Sequence, residues 1–309
     1  MIILILKPRE SLYNMKHLLT IFLAALLLLC GCANAAPPAD IAATTLPVWE
    51  FTSRICEGTP LSVTRLVTEE VSCLHDYALN VRQVKAAEAA EIIVISGAGL
   101  EEFMEDLLHG KNTVDASTGI SLLIPEEHHH EEEDHHENHE GHDHQQDPHI
   151  WLSPVNAAIM AENIFSGLAA QYPQYKPQFE TNLQQLLLEL EQLNRYGEER
   201  LNALSCRDLI TFHDGFAYLA ECYDLHILEA VEEESGSEAS AKELIQLIEE
   251  VEHHKIPAIF TEKSGSVSAA GIIARETGCR SFTLDMAMAG DSYFDAMYHN
   301  IDTLKEALE

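Results

Sequence analysis

The side chains with the clearest capacity for chemistry are histidines, and eight of the chain's 17 lie in one short run between Glu126 and Asp147. The same run holds ten acidic residues and no Lys or Arg. Neutral imidazole and carboxylate together are suitable ligands for zinc, and also for nickel or copper. The run therefore predicts a metal-binding segment whose ligands are His128, His129, His130, His135, His136, His139, His142 and His144.

So polar a segment cannot bury enough apolar surface to offset the entropy lost on ordering, and we expect a mobile loop over residues 126–147. A solvated acidic linker is the alternative interpretation. Because many similar ligands do not define a single site, the loop is interpreted as a low-affinity metal collector beside a more selective site.

Two further candidate ligands come directly after predicted strands in the second half of the chain. His213 follows the predicted strand 209–212, and Asp285 follows the predicted strand 280–284. In open α/β sheets, ligands bind beyond the carboxyl ends of the strands. We therefore expect both side chains to face a binding cleft.

His75 and His149 lie in the first half of the chain and are predicted to reach the same cleft from there. Three imidazoles and a carboxylate complete a tetrahedral zinc shell. Free imidazole has a pKa of about 6.5 and binds metal only when neutral, so we expect affinity to fall below that pH. Spacing alone leaves open that each histidine is an ordinary buried or surface residue.

The elements that must position these residues alternate between strand and helix, which predicts an α/β fold with small parallel sheets. Strands are predicted at 41–46, 61–67, 92–95, 209–212, 256–261 and 280–284. Helices are predicted at 48–56, 84–90, 100–108, from Ser153, at 178–204, 215–222, after Ser240, at 268–276 and 302–308. The helix at 178–204 is long enough to connect two lobes, although its periodicity also fits an ordinary core helix.

The N-terminus has the pattern of an export signal. Lys16 precedes an apolar run at 18–29, which is too short for a typical membrane span. Residues 1–32 are interpreted as the signal and 33–40 as a tether, with Cys32 as a lipidated lipobox cysteine. An ordinary A-x-A cleavage site at 33–35 and a true start at Met15 stay open. Either cleavage places the mature protein outside the cytoplasm.

A formal net charge of −33 excludes a nucleic-acid-binding protein and favours attraction of cations. Beyond the signal the chain has five cysteines, an odd number, in a compartment that permits disulfides. An odd number leaves at least one free thiol or a pairing between chains. Cys56 with Cys73 is the most local pairing, and the connectivity stays open. The set is Cys56, Cys73, Cys206, Cys222 and Cys279.

Five segments of the chain carry specific motifs. They are VSCLHDY at 71–77, DPHIWLSP at 147–154, FHDGFAY at 212–218, AIFTE at 258–262 and Leu284-Asp285. From about residue 41 to residue 309, these segments resemble the metal-binding cluster A-I family, the zinc-binding type of solute-binding proteins that serve bacterial ABC importers. DPHIWLSP and FHDGFAY are the most specific matches, VSCLHDY resembles the first-ligand segment, and the last two resemble late strands. A His-rich acidic loop precedes the second ligand, as in zinc members.

The resemblance implies two Rossmann-like lobes, 41–173 and 206–309, joined by one long helix at 174–205, with the metal between them. It carries His75, His149 and His213 over as ligands, with Asp285, another carboxylate or water in the fourth place. The absence of Pro before His75 and the sequence Met286-Ala287-Met288 depart from the family pattern. Glu262 is a reserve or supporting carboxylate, or alternatively a surface residue at a strand end.

The function that this resemblance implies is a monomeric extracytoplasmic receptor that delivers Zn²⁺ to an ABC permease and its ATPase, without catalysis. Zinc is transported cargo, and a third histidine at position 213 favours it over manganese. The alternatives are a manganese receptor of the same family, a periplasmic metal buffer or adhesin-like lipoprotein, and a metallohydrolase.

Overall fold

The structure is a computed structural model that describes residues 39–71, 74, 77–124, 146–231, 240–263 and 268–309. The predicted export signal and lipidation site, His75, Cys73 and the histidines of the His-rich run lie outside the described residues. Among the helices in the described ranges, none is both long enough and apolar enough to span a bilayer.

The first half of the chain forms a parallel sheet of order β2-β1-β3-β4, in which Ile41 lies opposite both Val63 and Ile92. A 3-10 turn at Glu102–Met104 precedes α3. The elements are β1 (Ile41–Ala43), α1 (Leu46–Ile55), β2 (Val63–Arg65), α2 (Val81–Ala89), β3 (Ile92–Ile95), α3 (Glu105–Leu108) and β4 (Thr113–Asp115).

Two long helices lead to a second parallel sheet of order β6-β5-β7-β8. The helix α5 packs against α1, α4 and the C-terminal helix α9. The elements are α4 (Pro154–Gln171), α5 (Lys176–Leu201), β5 (Asp208–Thr211), α6 (Ala217–Cys222), β6 (His226–Ala230), α7 (Ala241–His254), β7 (Ala258–Glu262), α8 (Ser268–Thr277), β8 (Arg280–Leu284) and α9 (Tyr293–Leu308). The predicted architecture of two small parallel sheets and one long connecting helix is confirmed.

Alternation along the strands divides the apolar side chains between two faces of each sheet. Ile41 and Ala43 enter a large core cluster that also holds Leu209 and Phe260 of the second sheet. The intervening Ala42 enters a separate cluster beneath α2 and α3. Because successive strand residues point to opposite faces, each sheet has its own outer helices and shares one central core.

Two helix predictions need correction. The helix predicted at 100–108 is a 3-10 turn followed by the single turn α3, because Met104 has φ −129° and interrupts the helical path. The helix predicted at 302–308 begins much earlier, at Tyr293. Its N-cap is Ser292, whose side chain accepts a hydrogen bond from the Asp295 amide.

Two strands and the cysteine pairing also differ from the predictions. The short edge strands β4 and β6 were not predicted, because half-exposed edge strands need no apolar run. The predicted pairing of Cys56 with Cys73 is not found, since Cys56 is a free thiol that is buried at the end of α1. Burial raises the pKa of that thiol to about 12.

Candidate metal site

His149 is buried and held in one orientation by Asp147. Oδ1 of Asp147 accepts hydrogen bonds from the His149 backbone amide and from its ring Nδ1, each at 2.8 Å. Because a carboxylate only accepts hydrogen bonds, the proton of the neutral ring lies on Nδ1 and Nε2 keeps its lone pair. A histidine oriented by a carboxylate in this way is the usual arrangement of a metal ligand.

His213 follows β5 and lies beside His149. The Phe212 amide bonds to the Phe260 carbonyl at 2.8 Å and fixes the end of the strand. The centroids of the His149 and His213 rings are 5.3 Å apart and their planes cross at 87°. Two imidazoles on one tetrahedral zinc, with Zn–N of about 2.0–2.1 Å, have ring centroids about 5 Å apart. The structure therefore brings two of the predicted ligands together at a suitable separation.

Gly215 makes room for this pair. A Cβ at this position would lie 2.8 Å from His213 Cδ2 and 3.1 Å from His149 Cε1, and it would also crowd the Met286 side chain. A larger residue would displace the rings. Trp151 and Phe216 are buried core residues.

Asp285 lies in a cleft between the two halves of the molecule, and its backbone is fixed by Asn300. The Asp285 amide donates to Asn300 Oδ1 at 2.8 Å, and Asn300 Nδ2 donates to the Asp285 carbonyl at 2.7 Å. Its Oδ1 accepts from the Ala287 amide, and its Oδ2 is 3.6 Å from Lys263 Nζ. The cleft is lined by Glu70, Val71, Glu262, Lys263, Asp285, Met286, Met288 and Ala289.

Lys263 bridges the two sides of this cleft, since its Nζ is also 3.6 Å from Glu70 Oε1. The Asp285 carboxylate thus faces an ammonium group in this structure. Glu262 is only 4% exposed at the end of β7, so its interpretation as a surface residue is wrong. His75 lies outside the described residues. Near it in the sequence, Leu74 is buried and the Tyr77 amide donates to the Leu74 carbonyl at 3.0 Å.

Tyr218 joins two described residues that lie on either side of the histidines 128–144 in the sequence, Leu123 and Asp147. The Tyr218 hydroxyl accepts from the Leu123 amide and donates to the Asp147 carbonyl, each at 2.9 Å. The Asp147 amide donates to the Leu123 carbonyl at 3.0 Å. Burial is the main cause that raises the pKa of Tyr218 to about 12, so its hydroxyl stays a donor at neutral pH.

Asp147 and Tyr218 were not among the predicted site residues. The spacing Asp147-Pro148-His149 was a usable signal for Asp147, because a side chain two residues before the histidine can turn back to its amide and ring. Tyr218 gave no such signal, since its contacts lie 71 and 95 residues away along the chain.

Comparison with known proteins gives a consistent family. The model of the family described as zinc-uptake complex component A, periplasmic (ZnuA) matches residues 41–307. The zinc-binding lipoprotein AdcA of Streptococcus pneumoniae strain ATCC BAA-255 / R6 is 31% identical over 313 residues, which is 94% of this chain. The chain spans 61% of the length of that relative.

Solved structures agree with this match. A crystal structure of ZnuA is 29% identical with a TM-score of 0.75, and the match covers 88% of this chain and 100% of that one. The Zn(II)-bound ZnuA-like domain of Streptococcus pneumoniae AdcA is 27% identical with a TM-score of 0.72, and the match covers 87% of this chain and 98% of that domain.

Proposed function

The chain belongs to the ZnuA family of periplasmic zinc-uptake components, and we propose that it is an extracytoplasmic receptor that captures Zn(II) between two lobes and delivers it to an ABC importer. The observation that carries the proposal is the pair of buried imidazoles of His149 and His213, with Asp147 orienting the first. The proposed ligands are His75, His149, His213 and Asp285.

Zinc is the proposed cargo because of the donor set. Three imidazole nitrogens and one carboxylate oxygen favour zinc over manganese, which prefers oxygen ligands. The names of the relatives support this choice, since AdcA is described as zinc-binding and its ZnuA-like domain was crystallised with Zn(II).

Binding by Asp285 requires a change at Lys263. A divalent ion beside Oδ2 of Asp285 would repel the ammonium group that lies 3.6 Å away. We infer that Lys263 leaves this position when zinc enters and returns to it when zinc is released. Lys263 is exposed and both of its carboxylate contacts are long, at 3.6 Å, so this exchange costs little.

The rest of the chain fits the same role. Residues 41–173 and 206–309 are the proposed lobes, 174–205 the linking helix, and 126–147 the loop that gathers zinc weakly. Cys32 is the proposed lipid attachment site that keeps the monomeric receptor near its permease and ATPase. The receptor binds and releases its cargo unchanged and has no catalytic step.

The first test is a zinc titration in competition with a chelator. Replacing His149 or His213 by Ala should abolish the tight site. Replacing His226 should not, because it is an exposed histidine whose ring nitrogen lies 3.2 Å from Asp208. Deleting 126–144, which retains Asp147 and Leu123, should leave one tight site. Loss of the tight site on this deletion would contradict the division of roles between loop and cleft.

The second test addresses delivery. Cells that lack the receptor should take up little radioactive zinc from chelated medium, and the intact gene should restore uptake. The His149→Ala variant should not restore it, although the protein is made. Full uptake with that variant would favour a metal buffer over an importer component.

A further inference from the structure

The last turn of α7 carries a separate group of metal-binding side chains. Glu250, His253 and His254 each offer one ligand atom, and these atoms all lie within 4.8 Å of one another. Glu250 Oε2 is 3.3 Å from His254 Nε2, and the two histidine rings have centroids 4.7 Å apart. Two imidazoles and a carboxylate are a donor set that zinc accepts, with its fourth tetrahedral position open to water.

The helix that carries this group is firmly anchored. Its first turn has a capping box in which the Ser240 hydroxyl accepts from the Glu243 amide and the Glu243 carboxylate accepts from the Ser240 amide. On its inner face, Leu247 and Val251 are buried in the core cluster on the outer side of the second sheet. The spacing of i, i+3 and i+4 therefore keeps the three ligands together on a fixed backbone.

The local electrostatics favour a cation. The C-terminal end of a helix has a partial negative charge, and exposed Glu249 and Glu252 flank the group. Lys255, which ends the helix with φ 55°, is the adjacent positive charge. The acidic side chains and the helix end together outweigh this single ammonium group.

We propose that Glu250, His253 and His254 form a surface site for Zn(II), with Cu(II) and Ni(II) as competing ions of the same ligand preference. All three side chains are exposed, so the ion exchanges freely with solvent. None of these three residues is a proposed ligand of the transported ion, and the site does not depend on the role proposed for His149 and His213.

The test is a zinc titration of the full chain followed through the histidine ring signals in carbon–proton NMR spectra, assigned with His253→Gln and His254→Gln. The signals of His253 and His254 should change together with one binding curve. Glu250→Gln should lower the zinc affinity obtained from that curve at least about tenfold, as expected for loss of a ligand. The exposed histidines His226 and His299 are the matched controls.

Two results would overturn the proposal. One is a change at His253 and His254 no larger than that at His226 and His299. The other is an unchanged binding curve in Glu250→Gln. Equilibrium dialysis supplies an independent check, because the double variant H253Q/H254Q should bind one zinc fewer per chain than H226Q/H299Q. Equal stoichiometry in the two double variants would also refute the site.

Discussion

Asp147 orients His149 without being a proposed ligand itself. Its Oδ1 holds both the amide and Nδ1 of His149. Replacing Asp147 by Ala should lower zinc affinity by about 10–100-fold, the usual effect of losing a group that orients a ligand. Asp147→Asn should lie between that variant and the wild type, since it keeps an accepting oxygen but loses the charge. Chelator competition measures both, and wild-type affinity in Asp147→Ala would contradict this role.

Glu101 is a buried carboxyl group beside the ends of β1 and β3. It accepts hydrogen bonds from the Thr44 hydroxyl and from the amides of Ser96 and Gly97. Desolvation by burial outweighs these donors, with a small contribution from nearby Asp115, and raises the pKa of Glu101 from 4.5 to about 7. The folded protein therefore keeps this proton over a pH range in which the unfolded chain has lost it.

This shift predicts the sign of a pH effect on stability. The contribution of Glu101 to the free energy of unfolding is fully present below pH 4.5 and is lost as pH rises through about 7. A pKa difference of this size corresponds to about 3 kcal/mol. Urea unfolding of metal-free protein measures this effect. As pH rises from 4.5 to about 7, the free energy of unfolding of the wild type should fall relative to that of Glu101→Gln. Exposed Glu102→Gln is the control, and parallel curves for wild type and Glu101→Gln would refute the prediction.

Helix α6 carries Tyr218, whose hydroxyl joins Leu123 to Asp147, the residue that orients His149. Tyr218→Phe removes two hydrogen bonds from a buried hydroxyl and leaves the Leu123 amide and Asp147 carbonyl without that partner. We expect a loss of about 1–3 kcal/mol in the free energy of unfolding. Zinc affinity should also fall, because Asp147 orients His149.

Chemical denaturation and chelator competition measure these two effects. Tyr298→Phe is a suitable control, because Tyr298 is a partly buried aromatic on α9 that packs edge-on against Tyr196. A stability loss without any change in zinc affinity would show that Tyr218 fastens the loop but does not position His149.

The elements that were predictable are those whose local pattern agrees with their burial. β3 and β8 have the predicted bounds. β3 is a short apolar, β-branched run, and Gly278 ends the preceding helix just before β8, so the sequence allows few other placements of these two strands. No local pattern predicted the interruption at Met104, where φ is −129°. The early start of α9 depends on Tyr293, which is buried against Phe51 at 5.0 Å between ring centroids.

The placement of the candidate ligands was predictable in part for a similar reason. His213 and Asp285 follow strand ends, and strand ends of a parallel sheet share one edge. The contact between His149 and His213 joins residues from different halves of the chain, so it required a fold or a family resemblance. Lys263 opposite Asp285 was not predicted, because its position depends on how Glu70 approaches from the first sheet.

The molecule as a whole has one central core that both sheets share. Trp151 Nε1 donates to the Met286 carbonyl, and the Tyr293 hydroxyl donates to the Trp151 carbonyl, each at 2.8 Å. The segment after Asp285 is also held by the Leu46 amide and by Arg65 Nη1, which donates to the Gly290 carbonyl at 2.8 Å. Such contacts limit how far the two halves can separate, so metal capture should involve side chains and loops more than a wide hinge motion.

A shared core predicts that residues 39–309 unfold as one unit and that zinc stabilises all of it. Differential scanning calorimetry of metal-free protein should give a single transition. Excess zinc should raise the temperature of the whole transition. The free energy of unfolding should increase by about 4 kcal/mol when the free zinc concentration is 1,000 times the dissociation constant. His149→Ala should also unfold in one transition. Zinc should no longer raise the temperature of that transition by binding at the tight site. Two separate transitions, or a zinc effect on only one of them, would show that the halves are independent and that the contacts of Trp151 and Tyr293 do not couple them.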